Sequence, residues 1–576
     1  MRSVIGATQQ STSQDHPQGD KLKNTAPTRR AILLTAAAVI LVSMWPSLPP
    51  WDALIGDPLG ETDNHVWMFW RQVRWMVEGV MPLSNAPAGV PIPLMDPVNL
   101  PMFAALSIFG PTVAYNGLAL WSVILAMAGG YALSRQFTGR QGAVVGMASA
   151  GSAPFLLGVI DFGITESWTL GWMGLHAAAL IAYSRTGRTG LALLSGVTLG
   201  AVALSGWYHA LLGLVIEAVL VSALLWRHRR VGIVLQGLIG AAMVTPALVR
   251  FLEVRGQWEV RWLSPPPGPP GPRPDWAELP VYGTDLLNLF LPQLTSVHPS
   301  KAVYLGLVTL ALVAIGLVKR WRVALLPVAV ALPPLVLALG YWPTVAGTAT
   351  GFPGPAWFLV RAFEPLAGLS HWHRAVAAAV PFIAAAAAIG ADALPRRAFV
   401  GPVLAMLIVI DATALSQTAW PRPAYIPELP PSLDEIPGEG GLVQIPFDNS
   451  REMFSEDPAR IYSRWQPIHG RMISENYEGM DALLAESKVV AASHAACWNR
   501  DNLPPYYKPP PEMRGLEPLT DLAVIAGERE QLRAWGYRWL ILHRERCRVP
   551  ARAIPAMESM FGPSTTLSNG DLLWEL

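Results

Sequence analysis

Long apolar segments alternate with short polar ones over residues 31–419 of the chain. A membrane-spanning helix needs about 20 mostly apolar residues, and eleven segments reach or approach that length. They are 31–48, 113–133, 141–160, 168–184, 190–206, 208–226, 231–252, 302–318, 323–341, 375–393 and 399–418. Several contain Pro or Gly, which membrane helices tolerate. The pattern predicts a polytopic α-helical membrane protein with about eleven transmembrane helices.

The charged residues between these segments predict the orientation of the chain, because cytoplasmic connections are rich in Lys and Arg. With the N-terminus inside, five consecutive inner connections carry basic residues with no carboxylate between them: Arg135 and Arg140; Arg185 and Arg188; Arg227, Arg229 and Arg230; Lys319, Arg320 and Arg322; Arg396 and Arg397. The outer connections hold most of the acidic residues. We therefore predict a cytoplasmic N-terminus and an extracytoplasmic segment over residues 420–576.

Composition agrees with a membrane protein and narrows its function. The chain is 52% hydrophobic and 14% charged, whereas soluble domains carry about 25% charged residues. Its mean hydropathy is +0.33. The net charge of +1 gives no electrostatic reason to expect nucleic acid as a partner. The sequence contains no Walker A, HExxH or CxxC motif.

The polar N-terminal segment 1–30 is predicted to be a disordered cytoplasmic tail. Arg29 and Arg30 precede the first apolar segment, so a cleaved signal peptide is the alternative. That segment runs into Trp45-Pro46-Ser47-Leu48-Pro49-Pro50 and lacks the small-x-small pattern of a cleavage site. An uncleaved first helix is therefore favoured.

Three predicted outer loops, at 49–112, 253–301 and 342–374, are too long to be simple connectors. The second contains a Pro-rich run at 264–272, which excludes helix and favours an extended spacer.

The first outer loop contains an amphipathic segment. Its apolar residues recur at helical spacing, which predicts a helix with Thr62 or Asp63 as its N-cap and a stop at Gly79. We expect this helix on the outer membrane surface, with Trp67, Trp70 and Trp75 near the lipid headgroups. A helix that only anchors the loop is the alternative.

The third outer loop carries Glu364, His371 and His373 just before an apolar segment. Two imidazoles and a carboxylate could hold a metal ion. The alternative, which we favour, is a set of polar side chains that line a cavity or face headgroups. We therefore assign no metal ligand.

From residue 420 the composition becomes that of an ordinary soluble domain. The residue pattern predicts strands at 441–447, 537–543 and 571–576 and a helix at 521–535. About 150 residues suffice for a core of their own. We predict an extracytoplasmic α/β domain over 420–576.

Cys497 and Cys547 both lie in this predicted domain. The extracytoplasmic compartment permits disulfides, so the two residues either form a bridge or remain buried thiols. The domain has no GxSxG or similar nucleophile motif, and we expect the chemistry elsewhere.

Several segments together resemble a known group of membrane enzymes. They include PTVAYNGLALWSVILAMAGGYALSRQFTG (111–139), SGWYHALLGLVIEAV (205–219), DLLNLFLPQ (285–293) and HWHRAVAAAVPFIAAAAAIGADAL (371–394). Their order over 31–419 resembles the GT-C glycosyltransferases. That group includes dolichyl-phosphate-mannose-type and aminoarabinose transferases, and bacterial membrane proteins described as related to 6-pyruvoyl-tetrahydropterin synthase.

The resemblance implies a GT-C-like module at 31–419 in a bacterial inner membrane. It also implies transfer of a sugar from a polyprenyl-phosphate-linked donor to an acceptor on the outer face. The expected partners are this donor and membrane lipids, and the oligomeric state is not predicted.

The resemblance also implies catalytic residues. In the family an acidic residue of the first outer loop activates the acceptor or binds a metal, so the cofactor is left open between none and a divalent metal. The matching residues are Asp57 and Asp63, and the next outer loop offers Asp161 and Glu166 as a second acid. A turn residue and a helix cap are the alternative roles for Asp57 and Asp63.

The implied chemistry needs a base for the acceptor and positive groups for the leaving phosphate. Guanidinium pairs with phosphate bidentately. The candidate substrate- and phosphate-binding residues are His65, Arg71, Arg74, Arg361, His373 and Arg374.

Two functions are compatible with this sequence. One is an inverting glycosyltransferase. The other is a non-catalytic scaffold or transporter for lipid-linked saccharides on the same fold, to which Glu217 is relevant because an acid within a predicted span often marks a pathway or a partner.

Overall fold

The structure is a computed structural model of the 576-residue chain. It describes residues 27–46, 52–58, 60–79, 94–168, 170–224, 230–255, 283–292, 302–363, 366, 369, 371–395, 399–416, 418–427, 431–445, 465–467, 469, 471–473, 487–497, 519–547 and 549–576. Most of the predicted N-terminal tail, the Pro-rich run and Glu364 lie outside these residues.

The helices follow the apolar segments of the sequence. In chain order they are α1 (Arg29–Met44), α2 (Thr62–Glu78), α3 (Leu100–Leu106), α4 (Pro111–Ser134), α5 (Arg140–Gly151), α6 (Pro154–Phe162), α7 (Leu170–Thr186), α8 (Thr189–Ser205), α9 (Trp207–Leu224), α10 (Arg230–Arg255), α11 (Leu307–Ala338), α12 (Pro355–Ala362), α13 (Val376–Asp392), α14 (Val400–Ala414), α15 (Pro431–Asp434), α16 (Lys488–Cys497), α17 (Leu522–Ala534) and α18 (Pro550–Phe561). The strands are β1 (Leu54–Ile55), β2 (Thr344–Val345), β3 (Thr348–Ala349), β4 (Ala424–Tyr425), β5 (Gly441–Ile445), β6 (Tyr537–Leu542), β7 (Thr565–Thr566) and β8 (Leu572–Glu575).

Each predicted span contains helical backbone among the residues that the structure describes. Among the described residues, six helices are long and apolar enough to cross a membrane, namely Pro111–Ser134, Arg140–Phe162, Trp207–Leu224, Val231–Glu253, Leu307–Ala338 and Trp372–Asp392. These helices identify a multi-pass membrane protein. The count of eleven spans and the orientation of the termini stay predictions.

The helical parts of the predicted spans 302–318 and 323–341 form the two halves of α11 (Leu307–Ala338). The backbone leaves the helical region at Arg320 (φ −139°, ψ 38°), so α11 consists of two arms joined by a kink. The Arg320 guanidinium donates to the Asp392 carboxylate at 2.9 Å and to the Asp392 carbonyl at 3.1 Å. This ion pair ties the kink to the end of α13.

The chain divides into two compact units. The first, which we call the helical unit, comprises 1–51, 93–102 and 116–423, and the second, the mixed unit, comprises 52–92, 103–115 and 424–576. The mixed unit thus contains the C-terminal residues and also parts of the first predicted outer loop. The predicted boundary at residue 420 stays a prediction.

Small residues allow close packing of helices in the helical unit. Helix α13 is Ala-rich and buried along its whole length, and it packs against α11 and α5. A side chain at Gly390 would overlap with the backbone carbonyl of Leu312, and one at Gly129 with the backbone of Gly171. Such close approach is how membrane helices associate when lipid is as apolar as the core.

The mixed unit contains a four-stranded sheet in the order β5-β6-β8-β7. Strands β5 and β6 are parallel, and β8 runs antiparallel to β6 and β7. Helices α16, α17 and α18 contribute to the core beside the sheet. Cys497 and Cys547 form a disulfide with a Cα–Cα distance of 4.9 Å, so the bridge was the correct alternative.

Helix α2 corrects one expectation. It ends at Gly79 as predicted, where φ is +70°. Trp67, however, is fully buried, and its indole Nε1 donates to Gln466 Oε1 at 2.5 Å within the mixed unit. Our placement of Trp67 among lipid headgroups was therefore wrong, because a tryptophan on an amphipathic face suits a protein core as well as a membrane interface.

Candidate functional site

The predicted site residues fall into both units. Asp161, Glu166, Arg361, His373 and Arg374 belong to the helical unit, and Asp57, Asp63, His65, Arg71 and Arg74 belong to the mixed unit. Each group is described by itself below.

The centre of the polar cluster in the helical unit is an ion pair between Glu166 and Arg374. Glu166 lies in a short turn between α6 and α7, and Arg374 lies in the turn that leads into α13. Arg374 Nη1 lies 2.6 Å from Glu166 Oε1, and the two side chains are only 8% and 15% exposed. The guanidinium also lies over the Tyr208 ring, 5.4 Å from its centroid. Neighbouring His373 is buried.

Asp96 is a further acid in this cluster, and the sequence analysis missed it. Its backbone has φ of +48°, a left-handed conformation uncommon for a side-chain-bearing residue. Its carboxylate accepts a hydrogen bond from the Asn99 side chain at 2.8 Å. Burial raises the pKa of Asp96 well above its ordinary value, and the charge of Glu166 adds to this rise while hydrogen bonds from Asn99 and Thr165 oppose it.

Perturbed carboxyls and strained backbone are both concentrated at functional sites. Asp96 has both a raised pKa and a left-handed backbone, and it lies next to Pro97 in the first predicted outer loop. The Asp-Pro pair was a turn signal that could have directed attention to this position.

His209 is the second residue of the cluster that the sequence analysis missed. It lies in the first turn of α9, is 2% exposed, and interacts electrostatically with both Glu166 and Arg374. The chain approaches Glu166 closely here, since a Cβ at Gly206 would lie 3.3 Å from the Glu166 Cβ.

A narrow cleft lies at Tyr208, whose ring is next to the Arg374 guanidinium. The cleft is lined by Tyr208, Leu211, Leu212, Leu369, Trp372 and Ala375. The Tyr208 hydroxyl accepts a hydrogen bond from the His371 amide at 2.9 Å. The lining of the cleft is thus mostly apolar and aromatic.

Asp161 lies apart from this ion pair in a different environment. Its carboxylate oxygen Oδ2 lies 2.6 Å from Arg422 Nη1, and the two side chains are 1% and 0% exposed. The same oxygen accepts from the Ala419 amide at 3.2 Å. Arg422 also donates to the Ser43 carbonyl at 2.9 Å. These bonds join the ends of α1 and α6 to the segment that follows α14.

In the mixed unit, Asp63 occupies the first turn of α2 and is buried. Its carboxylate accepts a hydrogen bond from the Tyr425 hydroxyl at 2.7 Å. The residue at the N-cap position is Glu61, which makes no capping hydrogen bond with its side chain and lies 3.6 Å from His65. Asp57 belongs to a turn in which its carbonyl accepts from the Gly60 amide at 2.8 Å.

The arginines of the mixed unit lie over aromatic rings. Arg71 is buried and lies 5.1 Å from the centroid of the Trp67 ring, and Arg74 lies 5.6 Å from that of Trp70. In the helical unit, exposed Arg361 stacks on Trp357 at 4.4 Å. Such stacking orients a guanidinium while its outer edge can still bind an anion.

No described part of the chain gathers three or more His, Cys, Asp or Glu side chains in a metal-binding arrangement. The two acids of the helical cluster also do not fit a divalent ion, because Glu166 is paired with a guanidinium and burial disfavours the charged form of Asp96. We therefore derive no step through a metal.

Comparison with known proteins identifies the fold. No family model matches the chain, and no curated protein matches its sequence. A solved structure of arabinofuranosyltransferase AftD from Mycobacteria matches with a TM-score of 0.52 at 15% identity, over 90% of this chain and 37% of that one. The chain thus spans well under half the length of that AftD.

Two further matches are ArnT from Cupriavidus metallidurans bound to undecaprenyl phosphate, and oligosaccharyltransferase AglB from Archaeoglobus fulgidus with an inhibitory peptide and a dolichol-phosphate. ArnT matches with a TM-score of 0.46 at 13% identity, over 94% of this chain and 97% of that one. AglB matches with a TM-score of 0.40 at 12% identity, over 95% and 74%. The likeness to AftD shows that this chain shares the fold of that protein, in agreement with the GT-C-like fold expected from the sequence. The apolar helices identify a multi-pass membrane protein.

Proposed function

We propose that this protein is an inverting membrane glycosyltransferase that moves a sugar from a polyprenyl-phosphate-linked donor to an acceptor on the outer face of the membrane. The observation that supports it most is the cluster of Asp96, Glu166 and Arg374 in the helical unit. Two acids and a guanidinium, largely shielded from water, are the groups that this displacement needs. A fold can host many functions, so the proposal depends on this cluster.

The reaction is a single displacement. An acceptor hydroxyl oxygen attacks the anomeric carbon, the bond from that carbon to the phosphate oxygen breaks, and its electrons leave with the lipid phosphate. Burial disfavours the ionised form of Asp96 and makes that form a stronger base than an ordinary carboxylate. In the molecules that carry the ionised form, the carboxylate takes the hydroxyl proton. Arg374 stabilises the charge that develops on the phosphate, and Glu166 holds that guanidinium in place.

Asp57 and Asp63 remain the alternative bases, on the ground of the resemblance alone. Asp161 remains a candidate too, although its buried pairing with Arg422 favours a structural role. His65, Arg71, Arg74, Arg361 and His373 remain proposed substrate-binding residues.

The test compares Asp-to-Asn variants in a strain that lacks the gene. We expect Asp96→Asn to lower sugar transfer by a factor of about 10²–10⁴, the usual range for removal of a general base, and the lipid-linked donor to accumulate. The matched control is Asp52→Asn, since Asp52 is an exposed acid of the same predicted loop. Full complementation by the Asp96, Asp57 and Asp63 variants alike would contradict the proposed acid–base chemistry.

The scaffold or transporter alternative depends most on Glu217, and its surroundings argue against a pathway there. Glu217 Oε2 lies 2.9 Å from His176 Nε2, and its Oε1 accepts from the Gln236 amide. The side-chain oxygen of Gln236, Oε1, accepts a hydrogen bond from the Ser195 hydroxyl at 2.9 Å. His176 Nδ1 closes the ring, because it donates to the Ser195 carbonyl at 3.0 Å.

This ring links α7, α8, α9 and α10. The side chains of Ser195, His176, Gln236 and Glu217 are all hydrogen-bonded to one another within this ring. Polar rings of this kind hold membrane helices together, which favours a structural role for Glu217 and leaves the enzyme as the better-supported function.

A further inference from the structure

We propose that His209 hydrogen-bonds a hydroxyl group of the sugar that is transferred, and so helps to determine which sugar the enzyme accepts. The inference rests on the proposed function and adds to it a residue and the chemical group that the residue recognises.

The first observation is an unmet hydrogen-bonding capacity. His209 is 2% exposed, and neither of its ring nitrogens makes a hydrogen bond among the residues that the structure describes. The Glu166 backbone is close enough to act on the ring, but without the geometry of a full hydrogen bond. Buried polar groups nearly always have a hydrogen-bond partner, and a buried polar group without one destabilises the fold. A protein keeps such a group where a ligand completes it.

The second observation is the charge around the ring. His209 is flanked by Glu166 and Arg374, which neutralise each other. A buried imidazole beside this neutral pair stays uncharged. In that form one ring nitrogen donates and the other accepts.

This combination selects a hydroxyl group over a phosphate. A hydroxyl both donates and accepts, so it can serve either nitrogen of a neutral imidazole. An ionised phosphate offers only acceptors, so it could use the donating nitrogen of the ring but not the accepting one. In this arrangement Arg374 binds the phosphate, and His209 hydrogen-bonds a hydroxyl group of the sugar.

The third observation is the kind of surface next to the imidazole. Tyr208 and Leu212, one and three positions from His209, line the same narrow apolar cleft as Trp372. Aromatic side chains next to a hydrogen-bonding group suit a sugar, which has apolar faces and a polar edge.

The first test measures stability without substrate. A polar group kept for a ligand should be dispensable for folding, so His209→Phe should leave the Tm of the purified protein unchanged or raise it. The control is His176→Phe, because both nitrogens of His176 are hydrogen-bonded inside the protein, and this variant should lower the Tm. A fall in Tm for His209→Phe as large as for His176→Phe would show that His209 is a structural residue and overturn the proposal.

The second test measures substrate discrimination with undecaprenyl-phosphate-linked pentoses and their single-deoxy analogues. The wild-type protein should discriminate against one deoxy analogue by at least tenfold in kcat/KM, and His209→Phe should transfer both sugars at the same reduced rate. His209→Gln, which keeps a donor and an acceptor, should recover part of the discrimination.

The two proposals fail in different ways. Equal discrimination by wild type and His209→Phe, with transfer intact, refutes the role of His209 alone. A wild-type protein that transfers no sugar from any donor, while the deletion strain shows no change in its glycans or lipid-linked sugars, refutes the proposed function and this inference with it.

Discussion

The buried ion pair of Asp161 and Arg422 allows a quantitative test of whether Asp161 serves stability or catalysis. The carboxylate and the guanidinium lie 2.6 Å apart with at most 1% of either side chain exposed. In Asp161→Asn the negative charge disappears and the guanidinium stays buried without a counter-ion. Because Arg422 also donates to the Ser43 carbonyl, it cannot turn to solvent without losing that hydrogen bond.

The expected loss follows from the cost of an uncompensated buried charge. Removing one partner of a buried pair lowers the free energy of unfolding by about 3–5 kcal/mol. The double variant Asp161→Asn/Arg422→Gln removes both charges, so it should be more stable than the sum of the two single losses implies. We expect a coupling free energy of about 1–3 kcal/mol, the range for residues in direct contact.

The assay is denaturation of the detergent-purified protein, followed by tryptophan fluorescence, for wild type, the two single variants and the double variant. Sugar transfer is measured on the same preparations. Asp52→Asn is the control, because an exposed acid should change stability by no more than about 0.5 kcal/mol.

Two results would refute the reasoning. A coupling free energy near zero would show that the charges do not stabilise each other. Wild-type stability of Asp161→Asn together with a loss of sugar transfer would place Asp161 in the chemistry instead.

Three further predictions concern other parts of the two units. Gly390→Leu should prevent close packing against the Leu312 carbonyl and cost at least about 1–3 kcal/mol, seen as a lower Tm or loss of monodisperse protein; an unchanged Tm would contradict this packing. Cys497→Ser/Cys547→Ser should lower the stability of the mixed unit by about 2–4 kcal/mol, and reductant should destabilise the wild type but not the double variant. Burial lowers the pKa of His494 to about 3. Below about pH 6.5 the unfolded chain, whose histidine has the ordinary pKa of 6.5, therefore binds a proton that the folded form does not bind. Stability should therefore fall by about 2 kcal/mol as the pH drops from 6.5 to 5, and His494→Leu should reduce this slope by one proton, whereas an unchanged slope would contradict the assignment.

The helices were predictable because their cause is local. A run of apolar residues with the length of a bilayer specifies a helix almost regardless of its neighbours, since lipid leaves no other partner for the backbone. The kink of α11 was also visible, as the basic residues around Arg320 separated two apolar runs. The pairing of Arg320 with Asp392 at this kink was not predictable, because the two residues lie 72 positions apart.

The candidate site was only partly predictable, because its parts come from distant segments. The acid at 166 and the arginine at 374 were identified as candidates by their positions in outer loops, but their pairing at 2.6 Å is a tertiary fact. Asp96 was missed because its unusual properties, a left-handed backbone and a raised pKa, arise from burial. The prediction for Trp67 was wrong for a related reason, since the sequence does not distinguish burial in lipid from burial in protein.

The buried polar groups of the helical unit fall into two kinds, and the difference separates structure from function. The side chains of the ring through Glu217 are hydrogen-bonded to one another, and Asp161 is paired with Arg422. Groups of this kind hold helices in place and need no ligand. At the cluster beside Arg374, by contrast, Asp96 adopts a strained backbone with a perturbed carboxyl, and His209 is buried without a hydrogen bond among the described residues. Such costs persist in a fold when something outside the chain offsets them. A hydroxyl-bearing substrate beside an acid and a guanidinium would do so, which is why the cluster rather than the intramembrane ring is the better place to look for the reaction.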